Sequence, residues 1–212
     1  MQSGSGPAPA ERTFIETQRR AQIVAAAIDT IAELGYARAS LGRIAARIGI
    51  SRGLISYHFA GKDELMSEVV REVLEEGRAY MTRRILAHST GPEMLRAYIE
   101  SNLAYLREHP SGAFAIVEIA RNGVTAVGQP RFSSYDVDDA VRALAHLLSG
   151  FQDAGQFRAD FDPRAIAIAI RGAIDAASRR LISDPQFDID SYAREIVRVF
   201  EVATGVAGPA GG

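Results

Sequence analysis

The chain has 212 residues, 47% of them hydrophobic, and a formal net charge of −2, which is ample material for a sizeable core in one or two domains. It has no cysteine, which excludes a disulfide framework and any cysteine-based metal or redox site and agrees with a cytoplasmic protein. No stretch approaches the ~20 apolar residues of a membrane span, and the opening MQSGSGPAPA lacks the basic start and apolar run of a secretory signal.

Residues 1–12 read as a disordered arm. The small net charge hides a segregation: from Arg12 to Lys62 there are eight basic residues and three acids, whereas the rest of the chain has 16 basic and 23 acidic residues. A basic head on an acidic body is the footprint of a polyanion binder, although a solvated charged face gives the same count.

The first predicted helix opens at Thr13 and Glu16, which stand at capping-box spacing, with Thr17 as the other candidate cap. Ile23, Val24, Ala27, Ile28, Ile31 and Leu34 form one apolar stripe, and Gly35 ends the helix. Arg19 and Arg20 near its start reach either phosphates or solvent, and Tyr36 plugs the gap to the second helix. Ser40 caps that helix, in which Leu41, Ile44, Ala45 and Ile48 follow the i, i+3, i+4, i+7 spacing, and Gly49 is its left-handed stop. Ser51 caps a third helix, whose inward side is formed by Ile50, Leu54, Ile55 and Phe59. Arg52, Gly53, Ser56 and Tyr57 are left on the outside.

Two short helices joined by a turn of about three or four residues, the second with a polar outer face, form the geometry that enters a DNA major groove. Arg52 suits bidentate recognition of guanine, and Ser56 can donate to or accept from either member of a base pair. Arg43 reaches a base edge or a phosphate, while Tyr57, His58 and the capped helix start at Ser40 hold phosphates. Gly53 lets a backbone come close. Lys62, the sole lysine of the chain, stands at the start of a fourth helix with Asp63 and Glu64 in its first turn, and reads as a phosphate seat. The candidate DNA contacts are therefore Ser40, Arg43, Ser51, Arg52, Gly53, Ser56, Tyr57, His58 and Lys62.

The succession LGYARAS, LGRIAARIGIS and RGLISYHFAGKDEL resembles the N-terminal DNA-binding domain of TetR-family transcriptional regulators, over roughly residues 17–66. The remainder is similar to that family only in length and helical character. The resemblance implies an all-α fold of about nine helices, with a three-helix helix-turn-helix domain at 13–61, a helical ligand-binding and dimerisation domain at 62–204 and a flexible tail at 205–212. It also implies a homodimer that represses from a near-palindromic operator on double-stranded DNA and lets go when a small-molecule effector binds, with no cofactor, metal or membrane involved.

The fourth helix is expected to run from Lys62 into the eighties with Leu65, Val69, Val73 and Leu74 inward, stopping before Ser89–Pro92. The resemblance makes it the lever between the domains. A fifth, from Glu93 to about Glu108, turns Leu95, Tyr98, Ile99, Asn102, Leu103 and Leu106 inward. The buried amide of Asn102 is either satisfied by nearby backbone or kept for a ligand. GAFAIVEIARNG is apolar on all sides except at Glu118, whose partner is Arg121 one turn on or a ligand group. Tyr98, Asn102 and Glu118 are thus the candidate ligand contacts. Residues 123–135 form a breaker-rich loop that borders a pocket or merely connects, before a helix striped by Val137, Ala140, Val141, Leu144, Leu147, Leu148 and Phe151.

Pro163 opens the next helix, with Ile166, Ile170 and Ile174 on one ridge and Ala165, Ala169, Ala173 and Ala177 on a shallower one. Tyr192, Ile196, Val199 and Phe200 stripe the last. Ile166, Ile170, Ile174, Ile196, Val199 and Phe200 are expected either to form a four-helix interface between two subunits or to be buried within one.

An enzyme is the competing class. None of His58, His88, His109 and His146 has a Glu three residues before it, and there is no H-E-x-x-H, nucleophile elbow or phosphate-binding glycine loop. The expectation is a transcriptional regulator and no enzyme; the alternative is a helical sensor or cofactor-free enzyme that does not bind DNA.

Overall fold

A computed structural model describes residues 9–122 and 135–205, with side chains described for 14–122 and 139–205. Among them are nine α-helices and no strand. The first, α1 (Pro9–Leu34), starts at Pro9 instead of Thr13, because a proline fits the first helical position and Ala10 and Glu11 propagate the helix. Residues 9–12 are therefore helical, and Thr13 and Glu16 lie within α1 instead of capping it. Residues 1–8 of the expected arm, 123–134 of the expected loop and 206–212 of the tail lie outside the described residues, as does the side chain of Val137.

Gly35 ends α1 at φ +76°, the left-handed stop that its position calls for. Next come α2 (Leu41–Arg47), α3 (Arg52–His58) and α4 (Lys62–Ile85). Then α5 (Gly91–Glu108) begins two positions before Glu93, because Thr90 caps it and Pro92 sits in the first turn, where no backbone donor is needed. It is followed by α6 (Pro110–Asn122), α7 (Tyr135–Asp153), α8 (Pro163–Ser183) and α9 (Ile189–Thr204). Asp162 and Asp188 cap α8 and α9 through their side chains.

Two apolar clusters organise these helices. The first joins Ile23, Ile31, Ile44, Ile55 and Phe59 of the head to Leu65, Met66 and Val69 of α4, and to Ala115 and Ile119 of α6. The head's core thus continues into the helices that follow residue 61. The second cluster gathers α5, α7, α8 and α9 around Leu103, Leu144, Leu148, Ile170 and Phe200. In a third, smaller cluster Val73 and Tyr80 of α4 pack with Tyr105 of α5, so α4 runs from the head's core to one of the helices that build the second.

The second core corrects the expected subunit interface. Ile170, Ile174 and Phe200 are buried inside the subunit, and Ile166 and Ile196 are partly buried against the same cluster. Of the six, only Val199 is exposed. Among the described residues no helix is long and apolar enough to cross a membrane.

Candidate nucleic-acid interface and effector cavity

Ser40 and Ser51 build the head as expected. The Ser40 hydroxyl accepts from the backbone N–H of Arg43 at 3.3 Å and that of Ser51 from Leu54 at 3.1 Å, which starts α2 and α3. Gly49, at φ +67°, makes the turn between them. Ile44, Ala45, Ile55 and Phe59 are buried and fix how the two helices are rotated. Ser40, Arg43, Ser51, Arg52, Gly53, Ser56 and Tyr57 are all left exposed, Tyr57 by 73%. His58 is half-buried, its ring edge-on to Tyr57 with centroids 5.0 Å apart.

Two glycines stand out on this exposed side. A Cβ on Gly53 would meet nothing nearer than the Ser51 hydroxyl at 3.7 Å, and one on Gly42 nothing nearer than the Ser40 hydroxyl at 4.0 Å. Nothing within the chain demands a glycine at either place. Gly42 was missed in the sequence, where a lone glycine inside a short helix carries no sign of which face it occupies.

Several cations of the head serve the fold instead. The Lys62 ammonium donates to the Tyr36 carbonyl at 2.7 Å and lies 4.0 Å from the centre of the Tyr36 ring, and its burial lowers its pKa below the usual lysine value. It thereby ties the start of α4 to the α1–α2 turn, a structural role that the sequence reading of it as a phosphate seat did not include. Arg20 donates to the His58 carbonyl, faces Glu64 and Glu68, and lies over the Phe59 ring at 4.2 Å. Arg47 is held by Glu33 and by the Thr30 hydroxyl. Part of the basic surplus counted in the sequence is neutralised internally.

Glu118 meets neither Arg121 nor a cavity. Its Oε2 accepts from the backbone N–H of Tyr36 at 3.2 Å, so the end of α6 grips the same turn that Lys62 holds from the other side.

A cavity of about 700 Å³ lies between α4, α5, α6, α7 and α8. Its wall is mainly apolar, with Val73, Leu74, Met81, Ile85, Leu106 and Ile116 among the residues that form it. Two of the three candidate ligand contacts, Tyr98 and Asn102, line it, and Glu118 does not. Asn102 is satisfied by nearby groups and also lines the cavity: its amide donates to the Tyr98 carbonyl at 2.8 Å, and its Oδ1 accepts from Arg171 at 3.1 Å. Tyr105, also in the wall, donates to the Val73 carbonyl at 3.0 Å. Burial, with Glu76 close by, pushes its hydroxyl well above the ordinary tyrosine value. Arg171 and Arg78 were missed; the visible signal for Arg171 was an arginine set within the apolar run AIAIRGAID, four residues before Asp175.

Residues 23–69 match the model of the bacterial regulatory proteins, tetR family. The chain is 40% identical over 85 residues to the HTH-type transcriptional regulator BetI 1 of Chromohalobacter salexigens, a match that covers 40% of this chain and 42% of that protein. It therefore spans less than half the length of this curated relative. In shape it is similar to a structure described as the molecular basis for control of antibiotic production by bacterial hormones, with 26% identity, a TM-score of 0.74 and coverage of 89% of this chain and 98% of that one. It is also similar to the transcriptional regulator FadR from Bacillus subtilis in complex with stearoyl-CoA, with 21% identity, a TM-score of 0.71 and coverage of 84% and 96%. Residues 23–69 thus form a head of the kind that the bacterial regulatory proteins of the tetR family carry.

Proposed function

We propose that the protein is a homodimeric transcriptional repressor that binds a near-palindromic operator through α3 and leaves it when a small molecule enters the cavity. The observation that carries this reading is the outer side of α3, where Arg52, Gly53, Ser56 and Tyr57 are exposed. Arg52 reads a base edge, Ser56 a neighbouring one, and Tyr57, Arg43 and Ser40 hold phosphates. Lys62 acts at one remove, by fixing the angle between α4 and the head. The reading places the protein in the cytoplasm, with its DNA.

A second copy of the chain covers the outer side of α8 and α9. Ala165, Ile168, Ala169 and Gly172 are exposed at i, i+3, i+4, i+7 spacing on α8, beside exposed Val199 and Val202 on α9. Small residues let helices approach closely, and an exposed apolar stripe of this kind is the face that a symmetric partner buries.

Coupling from cavity to head runs through α6. Ala113 and Ile116 line the cavity, Ala115 and Ile119 sit in the head's core, and Glu118 holds the Tyr36 turn. A ligand that shifts α6 changes the seat of the head, and a coupling of about 1–3 kcal/mol is enough for release.

The test is a gel shift on fragments of the source genome at increasing salt. Binding is expected to weaken steeply with salt, and Arg52→Ala to cost about tenfold or more in affinity for the selected fragment. No salt-sensitive binding to any fragment would sink the proposal.

A further inference from the structure

We infer that the cavity takes a molecule with an apolar body and a carboxylate head, and that Arg171 receives the head. This rests on the reading of the cavity as the effector site and names the chemistry of what enters it.

Arg171 lies on α8 between buried Ile170 and Ile174, and its side chain is only 18% exposed. One η nitrogen donates to the neutral amide oxygen of Asn102 at 3.1 Å, and the other reaches Asp175 at 3.3 Å. Its Nε is buried with no hydrogen-bond partner, the one such side-chain nitrogen or oxygen among the described residues. Asp175 is itself 40% exposed, so solvent screens the carboxylate that pairs with this guanidinium.

The charges along the rest of the wall point the same way. Asp139 is taken by Arg142, and Asp175 by Arg171. Arg78, also in the wall, makes no ion pair or hydrogen bond among the described residues. Among the described residues Asp139 and Asp175 each have an arginine partner, whereas Arg78 has no anion and Arg171 keeps an unpaired Nε. A cation entering here would meet two arginines, and a neutral molecule would leave Arg171 as it is. A carboxylate accepts two parallel N–H bonds from the guanidinium fork. In the proposed complex the fork turns toward the cavity, so that Nε and an adjacent η nitrogen both donate to the head. The apolar wall takes the body, and a volume of about 700 Å³ is in the range that encloses a small organic ligand.

Isothermal titration of the full chain with saturated carboxylates from octanoate to hexadecanoate tests this, followed by the methyl ester and the trimethylammonium of the chain length that binds best. The carboxylate is expected to bind about tenfold or more tighter than its ester, and the ammonium weakest. Arg171→Met is expected to keep ester binding and abolish the preference, with Arg171→Lys restoring part of it. If Arg171→Met fails to fold, the order of the three probes on the unmodified protein decides alone. Absence of saturable carboxylate binding, an ester or ammonium that binds as well, or a preference that survives Arg171→Met would overturn the inference. The titration needs no DNA, so failure of the regulator reading shows as absent DNA binding with the preference intact, and failure of this inference as the reverse.

Discussion

Gly53 is the residue at which stability and function pull apart most plainly. A glycine within a helix costs about 0.5–1 kcal/mol relative to alanine, and the space around Gly53 accepts a Cβ, the nearest atom being 3.7 Å away. Gly53→Ala is therefore expected to raise the thermal midpoint while lowering operator affinity about tenfold, because the added methyl stands between the helix and the groove. Unchanged DNA affinity in this variant would remove α3's outer side from the interface. The exposed set of Arg52, Ser56 and Tyr57 was readable in the sequence because the apolar spacing of Ile50, Leu54, Ile55 and Phe59 fixes the opposite side. Lys62 was not: its partner Tyr36 lies 26 positions away, and local pattern says nothing about which distant carbonyl an ammonium will find.

At the scale of the element, α6 has two occupied sides and one charged end. Its sequence showed that it is apolar nearly all round and therefore packed on several faces, but not that one face belongs to the cavity and another to the head. Glu118→Ala cuts the contact to the Tyr36 turn. DNA affinity is expected to change little without ligand, whereas the loss of affinity on adding the tightest-binding carboxylate shrinks by about threefold or more, within the usual range of coupling energies. An undiminished ligand effect in this variant would mean that coupling takes another path, with α4 the continuous alternative.

For the whole molecule, the decisive contrast lies between neighbouring isoleucines on α8. Ile168 is 53% exposed and Ile170 fully buried. Ile168→Glu is expected to raise the dimer dissociation constant about tenfold or more while helicity is kept, since it places a charge in the proposed partner contact. Ile170→Glu is expected to unfold the subunit, because it buries a charge without a partner. Sedimentation that shows an intact dimer for Ile168→Glu would reject this face as the interface.

What the sequence determined by itself was local: the helices, the serine caps at Ser40 and Ser51, the left-handed stops at Gly35 and Gly49, and the outward side of α3. Each follows from contacts within a turn or two, which the 3.6-residue repeat prints along the chain. Only the tertiary structure decided that Ile170 faces its own core while Ile168 faces outward, that Glu118 holds a backbone 82 positions away, and that Arg171 reaches Asn102 across 69. Those outcomes depend on how whole helices are rotated and stacked against one another, and a repeat within one helix carries no record of its neighbour's angle.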